Sequence, residues 1–133
     1  MKAINLSILV ISLILLSLTS AAQTKIEKEW DMKQYFMVFL SKGPNRSQDS
    51  ITAAKIQEAH LNNISRLFEE KKLVLAGPFL DDGEVMGIFI LDVPTVEEAR
   101  KVTETDPAVQ AGRLKMEIRP WYGPGSIIVG GKN

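Results

Sequence analysis

A chain of 133 residues with 45% hydrophobic and 24% charged content is sized for one globular domain. Its 16 basic and 16 acidic side chains cancel, removing the electrostatic attraction that nucleic acid or an anionic membrane surface would need. With no cysteine and a single histidine, His60, it offers no disulfide framework and no ordinary zinc site.

The N-terminal stretch MKAINLSILVISLILLSLTSAAQ contains one lysine, an apolar run to Leu18, then Ser20-Ala21-Ala22. These are the three regions of a secretory signal peptide. Asn5, Ser7 and Ser12 interrupt the run and no basic cluster follows it, which speaks against a retained membrane anchor. Cleavage is expected after Ala22, leaving residues 23–133 secreted or periplasmic, and residues 23–33 read as a charged leader.

The pattern then predicts a strand over Gln34–Ser41, QYFMVFLS, rich in aromatic and β-branched residues. KGPNRSQD makes a loop. A long helix is expected from Ser50 to Lys72, free of glycine and proline, with Asp49 or Ser50 as N-cap. Leu73–Leu80 and Val85–Val93 read as two strands joined by DDGE, a hairpin signal. Thr95 and Glu98 form a capping box at the start of a shorter helix. Asp106 and Pro107 open another helical turn that ends near Gly112. Leu114–Gly123 is the fourth strand, and the tail, residues 124–133, is open to either a short strand or irregular chain.

The order β-α-β-β-α-β is the ferredoxin-like, α+β arrangement with an antiparallel sheet. Its first strand is apolar on both faces, with Tyr35, Met37 and Phe39 opposite Phe36, Val38 and Leu40; the third strand is similar. The fourth alternates Leu114, Met116 and Ile118 with Lys115, Glu117 and Arg119, as an edge strand would. Two helices cover one face only, so a second copy is expected over the other, giving a homodimer.

His60 lies on the line Ile56–His60–Ile64, which turns it toward the sheet. From spacing alone it is either a packed side chain or a general acid–base group oriented by a carboxylate. Asp106, Asp81 and Asp82 are the candidate partners, and each also has turn or cap chemistry to explain it. Asp81, Asp82 and Glu84 do not match a calcium loop, so no metal site is expected. Asn45-Arg46-Ser47 and Asn63-Ile64-Ser65 fit the N-glycosylation pattern. Gly43-Pro44 and Gly77-Pro78 read as two rigid turns.

The segments AHLNNISRLFEEKKLVLAGPFLDDG, GIFILDV, VEEAR, ETDPAVQAGRL and EIRPWYG resemble the YCII-related (YciI-like) domain family, from Gln34 to Gly123. The resemblance implies a ferredoxin-like fold, pairing into a dimeric α/β barrel, and an active site centred on a histidine and an aspartate. His60 matches that histidine, Asp106 matches that aspartate, and Gly77-Pro78 matches a loop expected to line the same pocket. Family members often carry an acid soon after the first strand. Here SKGPNR stands there, so Lys42 or Arg46 would supply a positive charge instead. Some relatives are dehydrochlorinase-like lyases, muconolactone isomerases share the fold, and a phosphorylated histidine has been proposed. The resulting expectation is a cofactor-free lyase or isomerase acting on a small cyclic or aromatic molecule; the alternative is a non-catalytic small-ligand-binding or accessory domain.

Overall fold

The computed structural model of the protein describes residues 31–127. The expected signal peptide, most of the leader and residues 128–133 of the tail lie outside that range. Seven elements follow in order: β1 (Met32–Lys42), α1 (Ser50–Glu69), β2 (Leu73–Pro78), β3 (Val85–Leu91), α2 (Val96–Glu104), α3 (Pro107–Gln110) and β4 (Leu114–Pro124). The strands form one antiparallel sheet in the order β2-β3-β1-β4, the ferredoxin-like arrangement. β1 and β3 are central and β4 is an edge, in agreement with the face patterns. β1 already begins at Met32, so the end of the expected leader is paired strand, with Met32 opposite Pro124. Among the described residues no helix is long and apolar enough to cross a membrane.

The core lies between the sheet and the helices. Phe36, Val38 and Leu40 of β1 point inward and pack with Phe89 and Leu91 of β3, Leu67 of α1 and Val102 of α2. Each such side chain, moved fully out of water, contributes about 1.5–3 kcal/mol. The other face of the sheet is less bare than its sequence implies. Tyr35 and Ile90 are buried there, while Met37 and Phe39 are half-buried. Trp121 leans on Tyr35, ring centroids 5.9 Å apart, and the Arg119 guanidinium sits 5.5 Å from the centre of the Phe39 ring. The indole lies across Gly123, where an added Cβ would collide with it.

Helix boundaries follow local hydrogen bonding. Asp49 caps α1 by accepting from the Thr52 N–H at 2.9 Å and the Thr52 hydroxyl at 2.8 Å. These bonds hold its carboxyl below the usual range, the backbone N–H most of all. At the other end α1 stops at Glu69, short of the expected Lys72. Lys71 takes a left-handed φ of 58°, so the Lys71 N–H bonds to Phe68 and the Lys72 N–H to Leu67, each at 3.0 Å. This is a Schellman ending with lysine where glycine is usual. Thr95 caps α2 through the Glu98 N–H at 3.1 Å, but the Glu98 carboxylate turns to Lys101 at 3.0 Å. Only half of the expected capping box therefore forms.

A side chain in the left-handed region costs about 1–2 kcal/mol that glycine avoids, partly offset by the greater freedom of glycine in the unfolded chain. Lys71→Gly is expected to raise unfolding free energy by about 0.5–1 kcal/mol in urea titration. A lower midpoint would contradict this ending of the helix.

Candidate active site

His60 occupies the sheet-facing stripe of α1 and is buried. Its ring stacks on Phe89 of β3, with centroids 6.1 Å apart and planes 16° from parallel. Phe89 alternates onto the helical side of its strand, so strand pleat and helix turn together bring the two rings face to face.

Asp106 approaches from the junction of α2 and α3 and is wholly buried, at 0% exposure. It is the N-cap of α3, with Pro107 in the first turn, and its Oδ1 accepts from the Ala108 N–H at 2.8 Å. Its Oδ2 lies 2.7 Å from Nδ1 of His60. A carboxylate can only accept, so beside it Nδ1 is the nitrogen that carries a proton, and in the neutral ring Nε2 is the one with the lone pair. Among the described residues Nε2 has no hydrogen-bond partner. No buried side-chain nitrogen or oxygen is left unpaired among the described residues, and His60 lines the adjacent cavity.

The cavity has a volume of about 330 Å³ and lies between α1 and the β2–β3 half of the sheet. Leu40, Ile64, Phe68, Phe89 and Leu114 give it apolar walls. Of the described side chains lining it, Gln57 and His60 alone carry nitrogen or oxygen. Gln57 precedes His60 by three residues and so lies on the same side of the helix. Among the described residues there is no group of three or more His, Asp or Glu side chains placed to hold a metal.

His60, Asp106, Gly77 and Pro78 are brought together, the last two on the cavity wall. Gly77-Pro78 is not a turn, however. These are the last residues of β2, paired with Ile88 and Gly87 of β3. Lys42 and Arg46 do not line the cavity. The segment after β1 is clamped to the α3–β4 turn by the bonds Gly43 N–H to Arg113 and Asn45 N–H to Gly112. The Arg46 guanidinium is taken up in the same clamp, donating to the Arg113 carbonyl at 3.0 Å. Asp81 stays in the hairpin loop, accepting from the Gly83 N–H at 3.4 Å.

Sequence reasoning missed Gln57, Asn63 and Arg66. Asn63 is buried, accepts from Arg66 at 2.7 Å and faces Asp106 Oδ2 at 3.5 Å. Its burial leaves no room for a glycan on Asn63 in the folded protein. The available signal was spacing, since Gln57, His60, Asn63 and Arg66 recur every three residues.

Asp106 serves as both cap and histidine partner, so two substitutions separate those roles. Asp106→Ala removes the cap and leaves buried donors unpaired, and is expected to lower stability by about 2–4 kcal/mol. Asp106→Asn keeps an acceptor for Ala108 but turns an amide N–H toward His60, which should move the ring proton to Nε2. ¹⁵N spectra read the tautomer directly, as the chain has one histidine. An unchanged tautomer in Asp106→Asn would contradict the assignment.

Comparison with known proteins places this geometry in context. The family model described as the YCII-related domain matches residues 35–122. The chain is 32% identical over 62 residues to the uncharacterized protein YjpA of Bacillus subtilis (strain 168), spanning 47% of this chain and 71% of that protein. Among solved structures it resembles the 5-chloro-2-hydroxyhydroquinone dehydrochlorinase TftG of Burkholderia phenoliruptrix AC1100, in complex with 2,5-dihydroxybenzoquinone. The TM-score is 0.51 at 21% identity, covering 65% of this chain and 92% of that one, a likeness of fold. With residues 35–122 matched by that model, nearly all of those described, the chain belongs to the YCII-related domain family.

Proposed function

We propose that the protein is a cofactor-free acid–base enzyme of lyase or isomerase type, acting on a small cyclic or aromatic molecule. One observation carries this reading: Asp106 holds Nδ1 of His60 at 2.7 Å while the same imidazole lines an apolar cavity. A dry cavity of about 150 Å³ accepts benzene, so about 330 Å³ has room for a substituted single ring. The fold shared with a dehydrochlorinase that binds a dihydroxybenzoquinone supports the same substrate class.

In the proposed step, Nε2 takes a proton from carbon or oxygen of the ring, and the Asp106 carboxylate lies beside the imidazolium that forms. In an elimination, the electron pair of the broken C–H bond becomes a π bond as the leaving group departs with its own pair. In an isomerisation, the same proton returns to a different ring atom. Both sequences balance with no added oxidant or reductant.

A second reading, a non-catalytic binding domain, is favoured by the scarcity of polar groups on the cavity wall. The two separate in a screen of chlorinated hydroquinones, hydroxyquinones and unsaturated lactones, followed by absorbance and chloride release. Acid–base catalysis predicts that His60→Ala loses about 10²–10⁴-fold in kcat. Full turnover in that variant would remove the catalytic reading. Binding without conversion, surviving His60→Gln, would establish the binding domain.

Export and pairing belong to the same proposal. The sequence of residues 1–22 supports a cleaved signal peptide, and the two-sided apolar character of β1 and β3 supports a homodimer. Native mass spectrometry of the protein recovered outside the cytoplasm should give twice the mass of residues 23–133. A monomer, or a retained N-terminus, would count against the corresponding half.

A further inference from the structure

Behind the His60–Asp106 pair, polar side chains continue from the buried carboxylate to the surface. Arg66 donates through Nη2 to Asn63 Oδ1 at 2.7 Å and to Thr105 Oγ1 at 3.0 Å, and through Nη1 to Glu70 at 2.6 Å. A guanidinium has donors only, so the amide atom facing it must be oxygen. The Asn63 NH₂ is thereby turned toward Asp106 Oδ2, 3.5 Å away. The single hydroxyl hydrogen of Thr105 goes to the Val102 carbonyl at 2.7 Å, leaving its oxygen to accept from Arg66. Each orientation is set by the donor inventory of its neighbour.

We infer that Asn63, oriented by Arg66, is a positioning residue that locks the Asp106 carboxylate and, through it, the His60 tautomer. The Oδ1 of that carboxylate is held by the Ala108 N–H, but among the described residues Oδ2 has only His60 and Asn63. Without the amide, rotation about the carboxyl bond would be opposed on that side by the imidazole alone. The functional meaning of the lock rests on the proposal that His60 is the base, yet the lock can be read without any substrate. His60, Asn63 and Arg66 all lie on α1, while Thr105, Asp106 and Ala108 lie at the α2–α3 junction. The device therefore fixes site geometry where two segments meet. A hydrogen bond to a charged group, once removed, should loosen the His60–Asp106 contact about tenfold.

The test uses the ¹⁵N-labelled protein and the Nδ1 proton of its one histidine, which should resonate far downfield and exchange slowly with water. In Asn63→Leu that exchange is expected to accelerate about tenfold, or the resonance to vanish, with the circular dichroism of a folded chain retained. Arg66→Met frees the amide to turn over and should move exchange in the same direction. Glu70→Gln leaves the Arg66–Asn63 contact in place and should leave the resonance unmoved. A merely structural role for Asn63 would alter the unfolding midpoint and not this signal. If Asn63→Leu fails to fold, Arg66→Met, altered at a side chain 42% exposed, decides the matter. An unchanged Nδ1–H position and exchange rate in the folded variant overturns the inference. Loss of the catalytic reading in the His60→Ala assay would leave these spectra unaffected, so the two failures are distinguishable.

Discussion

A carboxylate with no exposure to water, Asp106, is the constraint on which the helical layer of this fold depends. Burying such a charge unpaired would cost several kcal/mol, more than a small domain can spare. Two strong donors meet it, the Ala108 N–H at 2.8 Å and His60 Nδ1 at 2.7 Å, with Asn63 at a longer 3.5 Å. The first is local, fixed by the cap of α3 itself. The other two come from α1 and exist only if that helix presents one face. A rotation by one residue, about 100°, would carry His60 and Asn63 away and strand the charge. Apolar packing of Leu67 and Ile64 against the sheet would tolerate smaller slips. Hydrogen bonds of fixed geometry are less forgiving, so the polar pair sets the pose of the helix that the core stabilises.

The cavity is the complement of that pose, and it is made of missing side chains. Opposite α1 the sheet presents Ala76 and Gly87 on its helical side, next to Phe89 and Leu40. Gly87 cannot be enlarged, because an added Cβ would stand 2.6 Å from the Gly77 carbonyl. So the close approach of β2 to β3 and the space in front of His60 have one cause. Where the sheet carries Phe36, Val38 and Leu91 instead, helix and strands meet without a gap. Small residues placed at one end of a packed layer thus leave an apolar hollow with, among the described residues, a single titratable side chain on its wall.

Most of the architecture was legible in the chain because local and global signals agree. Two apolar faces marked β1 and β3 as central, alternation marked β4 as an edge, and cap residues stand where the helices begin. The misreadings have physical sources. Lys71 continues a charged helical pattern, but backbone geometry lets a lysine take the left-handed position that glycine usually marks. Gly77-Pro78 carries turn composition yet ends a strand, since proline is tolerated where β2 runs out on the sheet edge. In the site, His60 was visible from helical spacing alone. Its partner was not, because 46 residues separate them and three aspartates had equally good local roles. The family resemblance, not the spacing, singled out Asp106. That Lys42 and Arg46 stand off the cavity wall was not legible, because nothing in SKGPNR shows that its backbone is pinned to Gly112 and Arg113.

The composition of the cavity narrows the chemistry further than the histidine does. If Nε2 removes a proton, negative charge appears on the substrate within apolar walls, where an uncompensated charge is expensive. Among the described residues the wall offers no lysine or arginine to meet it, and Gln57 is the one other side chain able to donate a hydrogen bond. Stabilisation must then come largely from the substrate itself, by spreading the charge over a conjugated ring and its oxygens, or by expelling it with a leaving group. Rings that delocalise an anion meet that condition, and isolated alkyl acids do not. Under the proposed reaction, the same limit explains why a single well-oriented imidazole would suffice: the harder half of the charge problem would fall to the substrate.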